Sequence, residues 1–249
     1  MAIFQHGDVA LNYEEYGSGF TLLLIAPGGM RSMIEFWHRS PFDPTVELAA
    51  DFRVIAMDQR NAGASRAPIT AADGWPTFAA DQIALLDHLG VGQCHIMGGC
   101  IGSSYCLGLI KAAPERIVAA VLQNPIGLGP DGIGRFHTMF DDWAVEVRRN
   151  RPEVGEAALA AFRDNMFSGD FVFSVTRDFV RSCLTPMLIL AGNDPYHPTA
   201  VSLELARLAP NAELIMEWKD ARCRGHRGST RARLPGGPRA MIKSARRPK

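Results

Sequence analysis

Residues 94–112 read CHIMGGCIGSSYCLGLIKA, and their centre is Gly98-Gly99-Cys100-Ile101-Gly102. An apolar run leads into it and an apolar stretch at helical spacing leads out. The pattern Gly-x-Nu-x-Gly between a buried strand and a helix is that of a nucleophile elbow, with Cys100 in the nucleophile position. So tight a turn strains the backbone at its apex. Side chains two positions to either side would collide, and glycine stands at both, Gly98 and Gly102. A nucleophile there meets the N–H groups and partial positive charge of a helix N-terminus, which favour a thiolate and later an oxyanion. The plain alternative is a structural cysteine beside a glycine-rich turn, and Cys94 and Cys106 fit that description better. Ser103 and Ser104 fail the pattern, because Ser103 is flanked at two residues by Ile101 and Tyr105, and Ser104 by Gly102 and Cys106.

Outward from the elbow, strands and helices alternate. A Gly7-Asp8 turn within residues 3–13 predicts a hairpin. Continuous apolar runs at 21–26, 53–57, 94–97, 117–123, 187–190 and 213–218 predict strands, most of them buried on both faces. Residues 76–89 have helical spacing and stop at Gly90, and residues 101–112 form the helix after the elbow. Such alternation predicts an α/β fold with a mostly parallel sheet. Residues 124–182 interrupt it with no convincing strand and helical stretches near 141–149, 152–166 and 174–182. Seven of the 13 phenylalanines fall there, with Trp143, Met139 and Met166. The reading is an inserted helical cap whose aromatics either glue it to the sheet or also line a pocket. Residues 1–123 and 183–220 then make the core.

The 249 residues carry 26 basic and 26 acidic side chains, but the balance is uneven. Residues 221–249 hold ten Lys/Arg and no Asp/Glu, leaving 16 basic and 26 acidic ahead of them. Four Gly and three Pro break this basic tail. It reads as a basic arm, as an ordinary solvated tail, or as out-of-frame translation of GC-rich DNA beginning near Asp220. Without interleaved aromatics for base stacking, no nucleic-acid partner is expected. No apolar run approaches the ~18 residues of a membrane span, and the N-terminus lacks a signal-peptide pattern. Five cysteines without CxxC or zinc-like spacing point to free thiols in a reducing cytoplasm. No dinucleotide motif, P-loop or metal cluster is visible, so neither cofactor nor metal is expected. The oligomeric state is not legible.

Taken in order, the motifs resemble the α/β-hydrolase fold family over roughly residues 1–219. Pro27-Gly28-Gly29 stands at the family's oxyanion loop. Asp58-Gln59-Arg60-Asn61-Ala62-Gly63-Ala64-Ser65 is similar to its Asp-x-Arg-Gly-x-Gly-x-Ser turn, with Asn61 at a position where a left-handed backbone is tolerated. Leu190-Ala191-Gly192-Asn193-Asp194 resembles its acid-bearing loop. The resemblance implies Cys100 as nucleophile, Asp194 as the acid that orients a histidine, and the N–H groups of Gly29 and Ile101 as the oxyanion hole. The family's base follows the last strand, and the histidine there is His226, inside the basic tail. His197, three residues after Asp194, is the alternative base. His6, His38, His88 and His137 read as surface or cap residues. On this reading the family's final helix is missing or altered. The implied activity is hydrolysis of a small apolar ester, thioester or lactone through a covalent acyl-enzyme. Two alternatives stay open: a non-catalytic binder of small molecules, and an acyltransferase or lyase on the same scaffold.

Overall fold

Gly7, at φ 57°, turns the chain between β1 (Ala2–His6) and β2 (Val9–Tyr16), an antiparallel hairpin at one end of the sheet. The computed structural model describes residues 1–40, 42–129 and 132–218. Next come β3 (Thr21–Ile25), the short helices α1 (Glu35–His38) and α2 (Pro44–Glu47), and β4 (Arg53–Met57). Then α3 (Trp75–His88), β5 (Cys94–Gly99), α4 (Ile101–Ala112) and β6 (Ile117–Gln123) alternate. Three helices follow before the next strand: α5 (Gly134–Asn150), α6 (Glu156–Phe167) and α7 (Arg177–Ser182). The described chain closes with β7 (Met187–Leu190), α8 (Thr199–Leu208) and β8 (Ala212–Ile215).

The eight strands form one sheet in the order β1-β2-β4-β3-β5-β6-β7-β8, antiparallel at the β1–β2 and β2–β4 pairs and parallel throughout the rest. This is the α/β arrangement expected from the sequence. The apolar runs are continuous because both faces are covered. Leu23 and Ile25 of β3 enter the core on the side of α3 and α4, while Leu22 and Leu24 face Trp37, Leu48 and Phe52 on the other. From β3 the chain first runs to β4 on one side and later crosses to β5 on the other. The crevice at the carboxyl ends of β3 and β5 is therefore a topological switch point, where open α/β sheets place their sites. Gly28 and Cys100 both leave the sheet there.

The aromatic residues of α5, α6 and the segment before α7 pack on one another. Phe140 meets Phe162 edge-on at 5.2 Å and Phe136 meets Phe173 at 4.7 Å. Trp75 of α3 joins them by donating its indole N–H to the Met166 carbonyl at 2.8 Å. Here the rings hold α5, α6 and the segment before α7 to one another and to α3.

Two expectations need correction. Residues 213–218 do not form one strand. Pairing with β7 ends at Ile215, and the Trp218 indole folds back to donate to the Ala191 carbonyl at 2.8 Å. An apolar residue near a strand end reads as strand in sequence, whereas Trp218 caps the sheet edge with its side chain. Helix α8 was not anticipated. Its apolar face, Val201, Leu205 and Leu208, has helical spacing, but it starts directly behind a proline with no capping side chain. The basic tail, His226, Cys223 and the final-helix expectation lie outside the described residues.

Candidate active site

The elbow geometry follows from small residues. Cys100 sits at φ 57°, ψ −121°, immediately before α4, a backbone state costly for a side-chain-bearing residue and typical of strained functional turns. A Cβ on Gly98 would lie 2.2 Å from the Gly102 carbonyl oxygen, and one on Gly102 would lie 2.2 Å from that of Ile25. The strain is held in place by hydrogen bonds: the Cys100 N–H donates to Gln123 O at 2.9 Å, and Ser103 Oγ donates to Gly98 O at 3.0 Å. Ser104 Oγ is committed to Val172 O at 2.9 Å. Both serines are thus structural, as the spacing predicts.

A single turn supplies the next two groups. Asp194-Pro195-Tyr196-His197 is closed by mutual backbone bonds between Asp194 and His197. Proline presets the second position of such a turn, and an aspartate in the first can accept from N–H groups further on. The Asp194 carboxylate accepts from the N–H groups of Tyr196 at 3.0 Å and His197 at 3.1 Å. The same carboxylate holds His197 Nδ1 at 2.7 and 2.8 Å from its two oxygens. Gly192 allows the return of the chain, because a Cβ there would lie 2.3 Å from the His197 carbonyl oxygen. His197 Nε2 is buried and, among the described residues, unpartnered. It is nonetheless near enough to the Cys100 thiol for each to shift the other's titration.

Burial alone would push the Cys100 thiol up. The charge of the neighbouring His197, with the N–H groups of Gly28 and Ile101, outweighs it and holds the thiol below its ordinary value. His197 moves the opposite way. Burial disfavours its charge, but Cys100 and then Asp194 raise its pKa. Asp194 is lowered despite partial burial, by His197 and the two turn N–H groups. The three groups are therefore biased toward thiolate, imidazolium and carboxylate. By contrast, burial pushes Cys94 up to about 12, and Cys106 also rises.

Of the expected residues, Cys100, Asp194, His197 and Ile101 come together. Gly29 follows next to the site, but the N–H that reaches the sulfur beside that of Ile101 belongs to Gly28, one residue earlier. The loop is positioned by the buried Asp58 carboxylate, which accepts from the Ile34 N–H at 2.8 Å, Asn12 Nδ2 at 2.9 Å and the Ala64 N–H at 2.8 Å. Asn61 adopts the left-handed state expected of it, φ 59°. Arg60 anchors the turn to α3 through a buried bond to Asp81 at 2.7 Å and to the loop ahead of that helix through Asp73 at 2.9 Å. The Arg60–Asp73–Asp81 network was not anticipated, since nothing in the spacing of its members marks them as partners.

Comparison with known proteins gives a consistent picture. The α/β hydrolase fold family model matches residues 21–188. The RutD protein of Pseudomonas savastanoi pv. phaseolicola, named for carbamate hydrolysis, is 25% identical over 78% of this chain and 84% of its own. BpoC of Mycobacterium tuberculosis, named for non-heme bromoperoxidase activity, is 31% identical over 48% of this chain and 43% of its own. Among solved structures, 2-hydroxy-6-oxo-6-phenylhexa-2,4-dienoate hydrolase from Rhodococcus sp. RHA1 superposes with a TM-score of 0.65 at 21% identity, covering 86% of this chain and 88% of that one. Est816, described as an N-acyl homoserine lactone degrading enzyme, gives a TM-score of 0.62 at 24% identity over 86% and 90%. The family match, the sheet order and the strained turn at Cys100 together identify the chain as a hydrolase-type member of the α/β hydrolase fold family.

Proposed function

We propose that this enzyme hydrolyses a small, largely apolar ester, thioester or lactone through Cys100, with His197 as the base and Asp194 as the group that orients it. The observation that carries the reading is the Asp194–His197 contact at 2.7 Å with Nε2 turned toward a thiol of lowered pKa. His197 Nδ1–H donates to Asp194, and Nε2 takes the Cys100 proton. The thiolate attacks the carbonyl carbon, and the oxygen that gains charge is held by N–H groups at the Gly28–Gly29 loop and Ile101. Collapse of the tetrahedral species breaks the bond to the leaving group, which receives the proton from His197. Water then attacks the acyl-thioester, giving its proton to Nε2, and the thiol is restored as the acid leaves. A carbamate and a lactone, named for two of the proteins above, share the heteroatom-substituted carbonyl this chemistry needs.

The non-catalytic alternative was motivated by the lack of a convincing base, and the position of His197 argues against it. The test is turnover of p-nitrophenyl butyrate by single variants. Cys100→Ala and His197→Ala are expected to lose at least about 10³-fold in kcat/KM, and His226→Ala to stay near wild type. Full activity in Cys100→Ala rejects the nucleophile, while loss confined to His226→Ala returns the base to the tail.

A further inference from the structure

A concavity with a lining of its own lies beside the 58–66 turn. It is a cleft of about 380 Å³ between the 58–66 turn and α5, and neither Cys100, Asp194 nor His197 lines it. Its volume falls in the range of small-molecule sites. The buried indole of Trp143 contributes to an apolar wall. Three arginines, Arg31, Arg66 and Arg151, share the lining with one carboxylate, that of Glu146.

The cations are not equivalent. Arg31 is paired with Glu146 by two bonds, at 2.6 and 2.9 Å. Arg151 is fixed by Asn61 Oδ1 at 3.1 Å and Ala67 O at 2.9 Å, with its Nε on Glu153 at the rim at 3.1 Å. Arg66 donates through Nη1 to the carbonyls of Gly63 and Ser65, at 2.8 and 2.7 Å. Among the described residues no carboxylate pairs with it. A guanidinium held by backbone beside a second, prepositioned one is suited to bidentate capture of a carboxylate.

We propose that this cleft binds a small organic carboxylate, its charged end on Arg66 and Arg151 and its apolar body against Trp143. Glu146, paired with Arg31, puts a negative charge in the same lining that opposes an incoming carboxylate. The inference is independent of the hydrolytic reading.

The test is titration calorimetry on the full chain after Cys100 has been alkylated with iodoacetamide, so that ligand cannot report from the active site. The probes are benzoate, its uncharged analogue benzamide, and inorganic phosphate. Benzoate is expected to bind, benzamide not to, and phosphate to bind at least about tenfold more weakly than benzoate because it offers nothing to the indole. Arg66→Gln is expected to weaken benzoate about tenfold or more, the scale of one charge-assisted contact, and Glu146→Gln to tighten it. The Arg66 side chain bonds only to the carbonyls of its own turn, and its backbone bonds to Ala10 survive the substitution, so the fold is expected to stay intact, which a thermal melt checks. Absence of benzoate binding, equal binding of benzamide, an unaltered affinity in Arg66→Gln, or phosphate binding as tightly as benzoate would each overturn the assignment.

Discussion

At the scale of single residues, the decisive contrast is among thiols. Cys94, Cys106 and Cys183 are buried, and burial raises the first two, whereas Cys100 is lowered by His197 and by the N–H groups of Gly28 and Ile101. Nucleophilicity follows the thiolate fraction. The sign is direct: a lowered pKa means thiolate persists to lower pH. Iodoacetamide is therefore expected to label Cys100 first, with a pH–rate midpoint below the ~8.5 of a free thiol. In His197→Asn the burial that opposes ionisation loses its main counterweight, and the midpoint moves up. Peptide mass mapping of labelled protein across pH checks both, and a midpoint indifferent to His197 disproves the coupling. Cys100 was legible in sequence because Gly98 and Gly102 advertise a turn that tolerates no side chain. Its partner was not so legible: order along the chain allows both His197 and His226, and the approach of His197 to the thiol depends on the turn at Pro195.

Among elements, the loop after β7 does the positioning. Gly192, Asp194, Pro195 and His197 lie within six residues, so the proposed acid and base share one hydrogen-bonded turn rather than two distant loops. Gly192→Ala places a methyl 2.5 Å from the His197 Cβ and 2.3 Å from its carbonyl oxygen. The turn must shift, at a cost of about 1–3 kcal/mol. Catalytic geometry is steeper still, since a misplacement near 1 Å costs roughly 10²-fold. The expected outcome is a fall of at least about tenfold in kcat with a modest loss of thermal stability; wild-type kcat would show that the turn has slack. The neighbouring helix α8 escaped sequence reading even though Val201, Leu205 and Leu208 keep helical spacing. Its start is a proline-led loop, and no capping side chain announces it.

For the whole molecule, the sheet, the Asp58 turn and the inserted helices are tied by polar contacts that cross between elements. The buried Arg60 guanidinium joins the turn to α3 through Asp81 and to the loop ahead of that helix through Asp73. Removing one member of such a group strands its partners without a counter-charge, which costs about 3–5 kcal/mol. Arg60→Met is expected to lower the urea midpoint by that amount of stability, and an unchanged midpoint would mean that the two aspartates find other partners or protonate cheaply. Among the described residues no helix is long and apolar enough to cross a membrane. The charge step at residue 221 lies outside the described residues.

The sequence by itself determined the alternation of strands and helices, the glycine-flanked elbow and the identity of Cys100 and Asp194 as candidates, because each depends on local periodicity or on steric demands within a few residues. Tertiary structure brought His197 beside the thiol, set the N–H groups of Gly28 and Ile101 around it, and buried most of the aromatics of residues 124–182 against one another and the core. Those outcomes depend on atoms far apart in the chain whose proximity is set by the crossing at the β3–β5 switch point and by the turn of Asp194–His197, and no spacing rule along a single strand of sequence encodes them.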